Sequence, residues 1–192
     1  MGDGRSGIFC IEGEWSPKLT DSSSVSPMLE LLRRADGVPY IHRTASSTKE
    51  LVAYLERWSQ KQYGRYRIGY LAFHGDAGGL WVGKKFVTLD RLASEVGPTL
   101  QGKTLFFGSC ATLDQPWKRL EAFRSAVGAR ALIGYTQDVD WIESTAFELT
   151  VLEELASSKR VDKAMLRLRR DHRAWCKRLG LRVAWKAGHL KG

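Results

Sequence analysis

Four short and almost continuous apolar runs recur along the chain, each bounded by glycine or by polar residues. Runs of this length and composition are typical of strands that are buried on both faces of a parallel sheet. Two further segments have the same character less strongly. The predicted strands cover residues 7–11, 39–43, 67–73, 104–108, 131–135 and 181–185, the last as an edge strand.

Between these runs, apolar residues recur three or four positions apart, which is the spacing of one face of an α-helix. The chain also carries a pattern typical of a small β-hairpin, from residues 80–82 and 86–88. The predicted helices start near positions 27, 48, 89, 117, 141 and 161, and the last is expected to continue as one helix past His172 and Cys176.

Strand and helix alternate from end to end, with no internal repeat, no low-complexity tract and no linker typical of a domain boundary. This alternation predicts helices on both faces of a mostly parallel sheet, joined by right-handed crossovers. We therefore predict one three-layer α/β domain over residues 1–192.

The composition is that of a folded protein, with 43% hydrophobic and 27% charged residues. Lys and Arg number 30 against 21 Asp and Glu, which gives a net charge of +9. Such a charge fits nucleic acid, an anionic partner or simply solvated helix faces. Because no five basic residues follow one another, we favour solvated faces and do not expect direct nucleic-acid binding.

The three cysteines, Cys10, Cys110 and Cys176, are too far apart for a CxxC metal or redox motif. Their number favours a reducing compartment, and no apolar stretch approaches the ~20 residues of a membrane span. We predict a cytoplasmic protein without a metal or cofactor. His172 and Cys176 have the i, i+4 spacing of a metal pair, but core packing is the better interpretation without a third ligand.

Two predicted strands end in a reactive side chain. Residues 67–73 lead into His74, Gly75 and Asp76, and residues 104–108 lead into Ser109 and Cys110. In open α/β sheets, chemistry collects at the carboxyl ends of the strands. One hairpin and one helix separate the two strands, enough for a crossover to an adjacent parallel strand. We therefore expect the His74 imidazole and the Cys110 thiol to meet at one edge of the sheet.

A thiol beside an imidazole attacks carbonyl groups well, because the imidazole takes its proton. Gly75 has no side chain to block a ligand, so the backbone amides of Gly75 and Cys110 are candidate oxyanion donors. Taken singly, a strand-end His or Cys has a structural explanation. Their order, their strand-end positions and the neighbouring glycines together favour catalysis.

These segments resemble the caspase-like cysteine peptidases, in which one apolar strand ends in His-Gly and another ends in a small residue and Cys. Residues 71–76, Leu-Ala-Phe-His-Gly-Asp, and residues 105–110, Leu-Phe-Phe-Gly-Ser-Cys, look most like the bacterial CHAT domains of that superfamily. The resemblance covers about residues 67–170. Two departures stand out: the familiar His-X-X-Gly-His-Gly run is reduced to His74-Gly75-Asp76, and Ser109 replaces the commoner Ala or Asp.

The resemblance implies a caspase-like sandwich with a sheet of about six strands. It also implies a Cys-His dyad, with Cys110 as nucleophile and His74 as general base, that hydrolyses a protein substrate after a residue chosen by an S1 pocket. An activating or regulatory protein partner and a role in bacterial antiviral defence are further implications of the resemblance.

The segment 136–140 carries two carboxylates, Asp138 and Asp140, near the expected substrate pocket. A buried carboxylate there would favour Arg or Lys at P1 through a charge-assisted pair. The alternative is that both are solvated and that Asp140 caps the helix starting at Trp141. Trp141 and Trp81 are candidates for the pocket wall, with core packing as an equally good alternative for each.

The leading hypothesis is thus a cysteine endopeptidase. One alternative is an inactive caspase-like adaptor or docking module, which an unreactive Cys110 would favour. The other is a basic nucleic-acid-binding protein, motivated by the charge of +9 and by the basic face of the helix after Val161.

Overall fold

The computed structural model describes residues 4–185 and the backbone of residues 188–191. The strands are β1 (Gly7–Glu12), β2 (Tyr40–Thr44), β3 (Tyr66–Ala72), β4 (His74–Asp76), β5 (Gly79–Val82), β6 (Lys85–Thr88), β7 (Thr104–Gly108), β8 (Ala131–Tyr135), β9 (Leu181–Trp185) and β10 (Gly188–Lys191). The α-helices are α1 (Ser26–Asp36), α2 (Thr48–Ser59), α3 (Leu89–Val96), α4 (Trp117–Val127), α5 (Trp141–Ser157), α6 (Val161–Asp171) and α7 (Arg173–Arg178).

The main sheet has seven strands in the order β10-β9-β8-β7-β3-β1-β2. Five adjacent strands are parallel to one another, namely β2, β1, β3, β7 and β8. Strand β9 is antiparallel to β8, and β10 is antiparallel to β9. The predicted α/β fold with a mostly parallel sheet is confirmed. The prediction of residues 181–185 as an edge strand is wrong, because β10 pairs with β9 and satisfies its outer backbone groups.

Both faces of the sheet are covered by helices, which explains why the strand sequences are apolar without alternation. In β1, Ile8 and Cys10 face one hydrophobic cluster and Phe9 and Ile11 face the other. Side chains from α1, α5, α6 and α7 complete the first cluster, and side chains from α2, α3 and α4 complete the second. Cys10 is fully buried, as expected of a cysteine that acts as a small apolar side chain.

A second, three-stranded antiparallel sheet is formed by β4, β5 and β6. The sequence pattern predicted its β5–β6 hairpin, but it indicated a loop over residues 75–79, directly after His74. The structure pairs His74 with Trp81 and Asp76 with Gly79. A three-residue strand of mixed composition has no pattern of its own, and its pairing is imposed by β5. The backbone of His74 is consequently held by the antiparallel pairing of β4 with β5.

The predicted long helix from Val161 is broken, which corrects the sequence-based expectation. α6 ends at Asp171, and His172 has non-helical dihedral angles (φ −126°, ψ 36°) before α7 begins. Asp and His are both weak helix formers, which permits a break at this point. Cys176 of α7 is buried, with only 2% of its surface exposed.

Candidate active site

The strands that precede His74 and Cys110 are hydrogen-bonded neighbours. The register between β3 and β7 pairs Ala72 with Gly108, so each reactive residue follows two positions later at the same edge of the sheet. Both side chains line one pocket of about 160 Å³. The structure therefore brings together the thiol and the imidazole that the sequence placed at two strand ends.

Gly75 lies against the backbone that carries Cys110. A Cβ atom on Gly75 would lie 2.5 Å from the Cys110 carbonyl oxygen and 2.8 Å from the Ser109 Cβ. Both distances are shorter than real carbon contacts, so only glycine lets β4 approach the Cys110 turn this closely. The two predicted oxyanion donors, the amides of Gly75 and Cys110, thus belong to backbone segments in direct contact.

The turn after Cys110 is strained and firmly held. Ala111 has a positive φ of 48°, a conformation that costs a non-glycine residue about 1–3 kcal/mol. Its amide donates to the Gln137 carbonyl at 3.0 Å. The Thr112 hydroxyl is fully buried and lies 3.0 Å from the Gly79 carbonyl oxygen and 2.7 Å from the Ser109 hydroxyl. Contacts with two neighbouring segments therefore fix the backbone that presents the thiol.

The His74 ring is oriented by Trp15, a residue that sequence reasoning missed. His74 Nε2 lies 2.9 Å from the Trp15 carbonyl oxygen. A carbonyl only accepts hydrogen bonds, so Nε2 carries the proton in the neutral ring and Nδ1 keeps a lone pair. The Trp15 indole also packs edge-on against His74, with ring centres 5.2 Å apart. No local motif marks Trp15, because this contact spans 59 positions of the chain.

Glu148 of α5 lines the same pocket and was also missed by sequence reasoning. Its carboxyl group is buried, with 3% of the residue exposed, and the Tyr70 hydroxyl donates to it. Gly108 makes room for this contact, since a Cβ there would lie 2.5 Å from the Tyr70 ring and 3.1 Å from Glu148 Oε1. The available signal was a carboxylate among the inward positions of α5, next to Phe147 and Val151.

Burial raises the pKa of the Glu148 carboxyl group to about 7, because a charge inside the protein loses its hydration. The Tyr70 and Tyr135 hydroxyls act in the opposite direction. The Tyr135 hydroxyl is near enough to stabilise the charge, yet it has no hydrogen-bond partner within the part of the chain that the structure describes. The pocket therefore contains a buried carboxyl group with few hydrogen-bond donors to stabilise its charge.

The other predicted pocket residues are divided by the structure. Trp141 lines the pocket and packs edge-on against Trp15 at 4.2 Å between ring centres. Asp140 accepts a hydrogen bond from the Glu143 amide at 2.9 Å and caps α5, the alternative that the sequence left open. Asp138 is exposed, and neither aspartate is among the residues that line the pocket. This arrangement gives no support to their assignment as substrate-binding residues.

Within residues 4–185 and 188–191, no group of three or more His, Cys, Asp or Glu residues is placed to hold a metal ion. The ring of His172 instead stacks on Trp175, with centres 6.2 Å apart. In the same part of the chain, no helix is long and apolar enough to cross a membrane.

A family model described as a family of unknown function, DUF6642, matches residues 5–185, which is nearly the whole chain. The chain belongs to the DUF6642 family. No curated protein matches this DUF6642 member significantly.

Among solved structures, the DUF6642 chain is similar to caspase-1 from Spodoptera frugiperda. The match has a TM-score of 0.52 and 16% sequence identity, and it covers 85% of this chain and 74% of the caspase chain. Identity at this level shows the fold alone. The caspase-like fold expected from the two strand-end motifs is confirmed.

Proposed function

We propose that the chain is a cysteine endopeptidase that cleaves a protein substrate through Cys110 and His74. The observation that carries the proposal is the shared pocket of these two side chains at the carboxyl ends of adjacent parallel strands. The close contact of Gly75 with the Cys110 turn supports it, as does the strained backbone at Ala111. The caspase-like fold provides the matching scaffold.

In the proposed reaction, His74 Nδ1 takes the proton of Cys110, because Nε2 is already engaged with the Trp15 carbonyl. The thiolate attacks the scissile carbonyl carbon, and the amides of Gly75 and Cys110 stabilise the resulting oxyanion. The imidazolium then gives its proton to the leaving amine. A water molecule, deprotonated by His74, hydrolyses the thioester, releases the acid product and restores the thiol.

A preference for a basic P1 residue is part of this proposal, with Glu148 in the role that sequence reasoning gave to Asp138 and Asp140. The pocket volume of about 160 Å³ suits one side chain and is below the ~300–1,000 Å³ of sites for drug-sized ligands. Glu148 is a buried carboxylate in the lining of that pocket. A Lys or Arg side chain would supply the cation that a buried carboxylate otherwise lacks.

Three further parts belong to the proposal. A cytoplasmic location is supported by the three cysteines without a pairing pattern. Control by an activating or regulatory protein partner and a role in an antiviral defence system rest on the resemblance to bacterial CHAT domains alone.

The test begins with thiol reactivity in the purified chain. Iodoacetamide is expected to alkylate Cys110 at neutral pH at least about tenfold faster than the buried Cys10 and Cys176. Peptide mapping by mass spectrometry separates the three sites. The His74→Ala variant is expected to alkylate Cys110 more slowly than the parent chain, whereas His172→Ala is a matched control that should leave the Cys110 rate unchanged. A proteome-derived peptide library then identifies cleaved bonds and their P1 residues.

Cleavage that persists in Cys110→Ala or His74→Ala, with both variants folded, contradicts the mechanism. A Cys110 that reacts no faster than Cys10 and Cys176 in the folded chain favours the adaptor alternative.

A further inference from the structure

Glu12, the last residue of β1, is a buried carboxylate that the proposed reaction does not use. Only 3% of it is exposed, and four donors surround it. These donors are Trp15 Nε1 at 2.5 Å, Ser24 Oγ at 2.8 Å, the Val25 amide at 2.8 Å and His42 Nε2 at 2.6 Å. We call Glu12 and these four residues the Glu12 network.

The Glu12 network closes the segment that connects β1 to α1. Trp15 lies near the start of this segment, whereas Ser24 and Val25 lie at its end, so one carboxylate holds both ends. The segment leaves β1 beside the strand that precedes His74, because the Gly13 amide donates to the Ala72 carbonyl at 2.8 Å. Trp15 is therefore fixed by its indole on one side and by the backbone on the other.

Trp15 connects this network to the candidate general base. Its indole N–H donates to Glu12, its carbonyl oxygen lies 2.9 Å from His74 Nε2, and its ring packs against the His74 ring. The same indole packs directly against Trp141 in the lining of the pocket. A shift of the Trp15 backbone would move the carbonyl acceptor that selects the Nε2–H tautomer of His74.

The Glu12 carboxyl group is ionised at neutral pH. Burial by itself would raise its pKa, but the hydrogen bonds from His42, Trp15, Val25 and Ser24 outweigh this and lower the pKa. Hydrogen bonds to an ionised acceptor are roughly twice as strong as those between neutral groups, which makes the network a rigid support. His42 of β2 has its Nε2 engaged with this carboxylate.

We propose that Glu12 and Trp15 are positioning residues for His74, and that they hold its ring in the Nε2–H tautomer with Nδ1 free to take the Cys110 proton. The proposal rests on the proposed function of His74 as general base. It assigns a role to the segment between β1 and α1, which no strand-end motif indicates.

The test compares Glu12→Gln and Trp15→Phe with the parent chain. Trp15→Phe removes the indole N–H but keeps an aromatic ring and the backbone carbonyl, so it is the milder change. Trp175→Phe is the matched control, since Trp175 is another partly buried tryptophan that lies outside the Glu12 network and packs on Phe147. Circular dichroism first establishes that each variant is folded.

The first readout is the tautomer of His74, observed through its ring nitrogens by ¹⁵N NMR at a pH where the ring is neutral. The parent chain and Trp175→Phe are expected to show the Nε2–H form, and both network variants a mixture of tautomers. A loss of stability alone would not produce this change. Pure Nε2–H in both network variants overturns the inference, whatever the activity of the chain.

The second readout is the pH profile of Cys110 alkylation. The network variants are expected to react about tenfold to a hundredfold more slowly at neutral pH, because a base displaced by about 1 Å loses efficiency on that scale. Their profiles should move toward that of His74→Ala. If His74→Ala leaves the parent profile unchanged, the proposed function fails and this inference fails with it. If His74→Ala changes the profile but Glu12→Gln and Trp15→Phe do not, only the inference fails.

Discussion

Glu12 and Glu148 each have only 3% of their surface exposed, yet the pKa values of their carboxyl groups shift in opposite directions. The pKa of Glu12 is lowered by its hydrogen-bond donors, whereas burial raises the pKa of Glu148 to about 7. Glu12 receives hydrogen bonds from an indole, a hydroxyl, a backbone amide and an imidazole. Glu148 receives one from the Tyr70 hydroxyl. The donors around Glu12 outweigh the effect of burial on its pKa, whereas those around Glu148 do not.

The difference separates a structural carboxylate from one that is available to a ligand. Glu12 has its acceptor sites filled and lies beneath Trp15, so it is suited to hold a segment in place. Glu148 lines the pocket with its charge only partly compensated, so it is suited to pair with an incoming cation. Four predictions test this contrast, from the largest expected effect to the smallest.

The largest effect is expected in the pH dependence of stability at Glu148. Its raised pKa means that the folded chain holds the proton more tightly than the unfolded chain. This contribution is fully present below the ordinary pKa of 4.5 and is lost as the pH rises through about 7. At pH 8 the Glu148→Gln variant is expected to be more stable than the parent by up to about 3 kcal/mol, at about 1.4 kcal/mol per pKa unit. Denaturant unfolding at pH 5 and pH 8 measures it, and parallel pH dependence of parent and variant would contradict the buried, uncompensated state of Glu148.

The next effect concerns selectivity at the pocket. At pH 8, a lysyl chloromethyl ketone is expected to label Cys110 about tenfold to a hundredfold faster than its norleucyl analogue, since a hydrogen-bonded charge is worth about 1.5–3 kcal/mol. Glu148→Gln should abolish this preference, and so should a pH below about 7, where the carboxyl group is protonated. Asp138→Asn should retain it, because Asp138 is not among the residues that line the pocket. Rates are measured by intact mass, and equal rates for the two probes in the parent chain would disprove the role of Glu148.

A smaller effect with the opposite sign is expected at Glu12. Its lowered pKa contributes stability that is present above the ordinary value of 4.5 and is lost as the pH falls through the lower folded value. At pH 7, Glu12→Gln is expected to be less stable than the parent by about 1–3 kcal/mol, the usual contribution of hydrogen bonds to a charged group. The deficit should shrink below pH 4.5. A deficit that stays constant from pH 7 to pH 3 in thermal unfolding would show that the ionised form has no special role.

The smallest effect is expected at a surface carboxylate, which serves as the reference for both buried ones. Glu95 of α3 forms an ion pair with Arg91 at 2.8 Å, and its side chain is 33% exposed. Glu95→Gln is expected to change the free energy of unfolding by less than about 1 kcal/mol. A larger change, measured under the same conditions, would mean that burial is not what sets Glu12 and Glu148 apart from surface carboxylates.

The architecture could be predicted from the sequence because strands buried on both faces must be apolar throughout. Residues 104–108 and 131–135 show this pattern and form β7 and β8 with the predicted bounds. The helix break at His172 could not be predicted, since the apolar spacing continues across it. Nor was β4, whose three residues gain their strand conformation only by pairing with β5.

By itself, the sequence determined the α/β fold and the positions of His74 and Cys110 at strand ends, because strand composition and chain direction are local properties. The tertiary structure decided which side chains surround that pair. Trp15 reaches His74 across 59 positions and Tyr70 reaches Glu148 across 78, distances over which no periodicity carries information. The structure also decided the charges of Glu12 and Glu148, because only folding determines how a carboxyl group's burial and hydrogen-bond donors shift its pKa from the ordinary value.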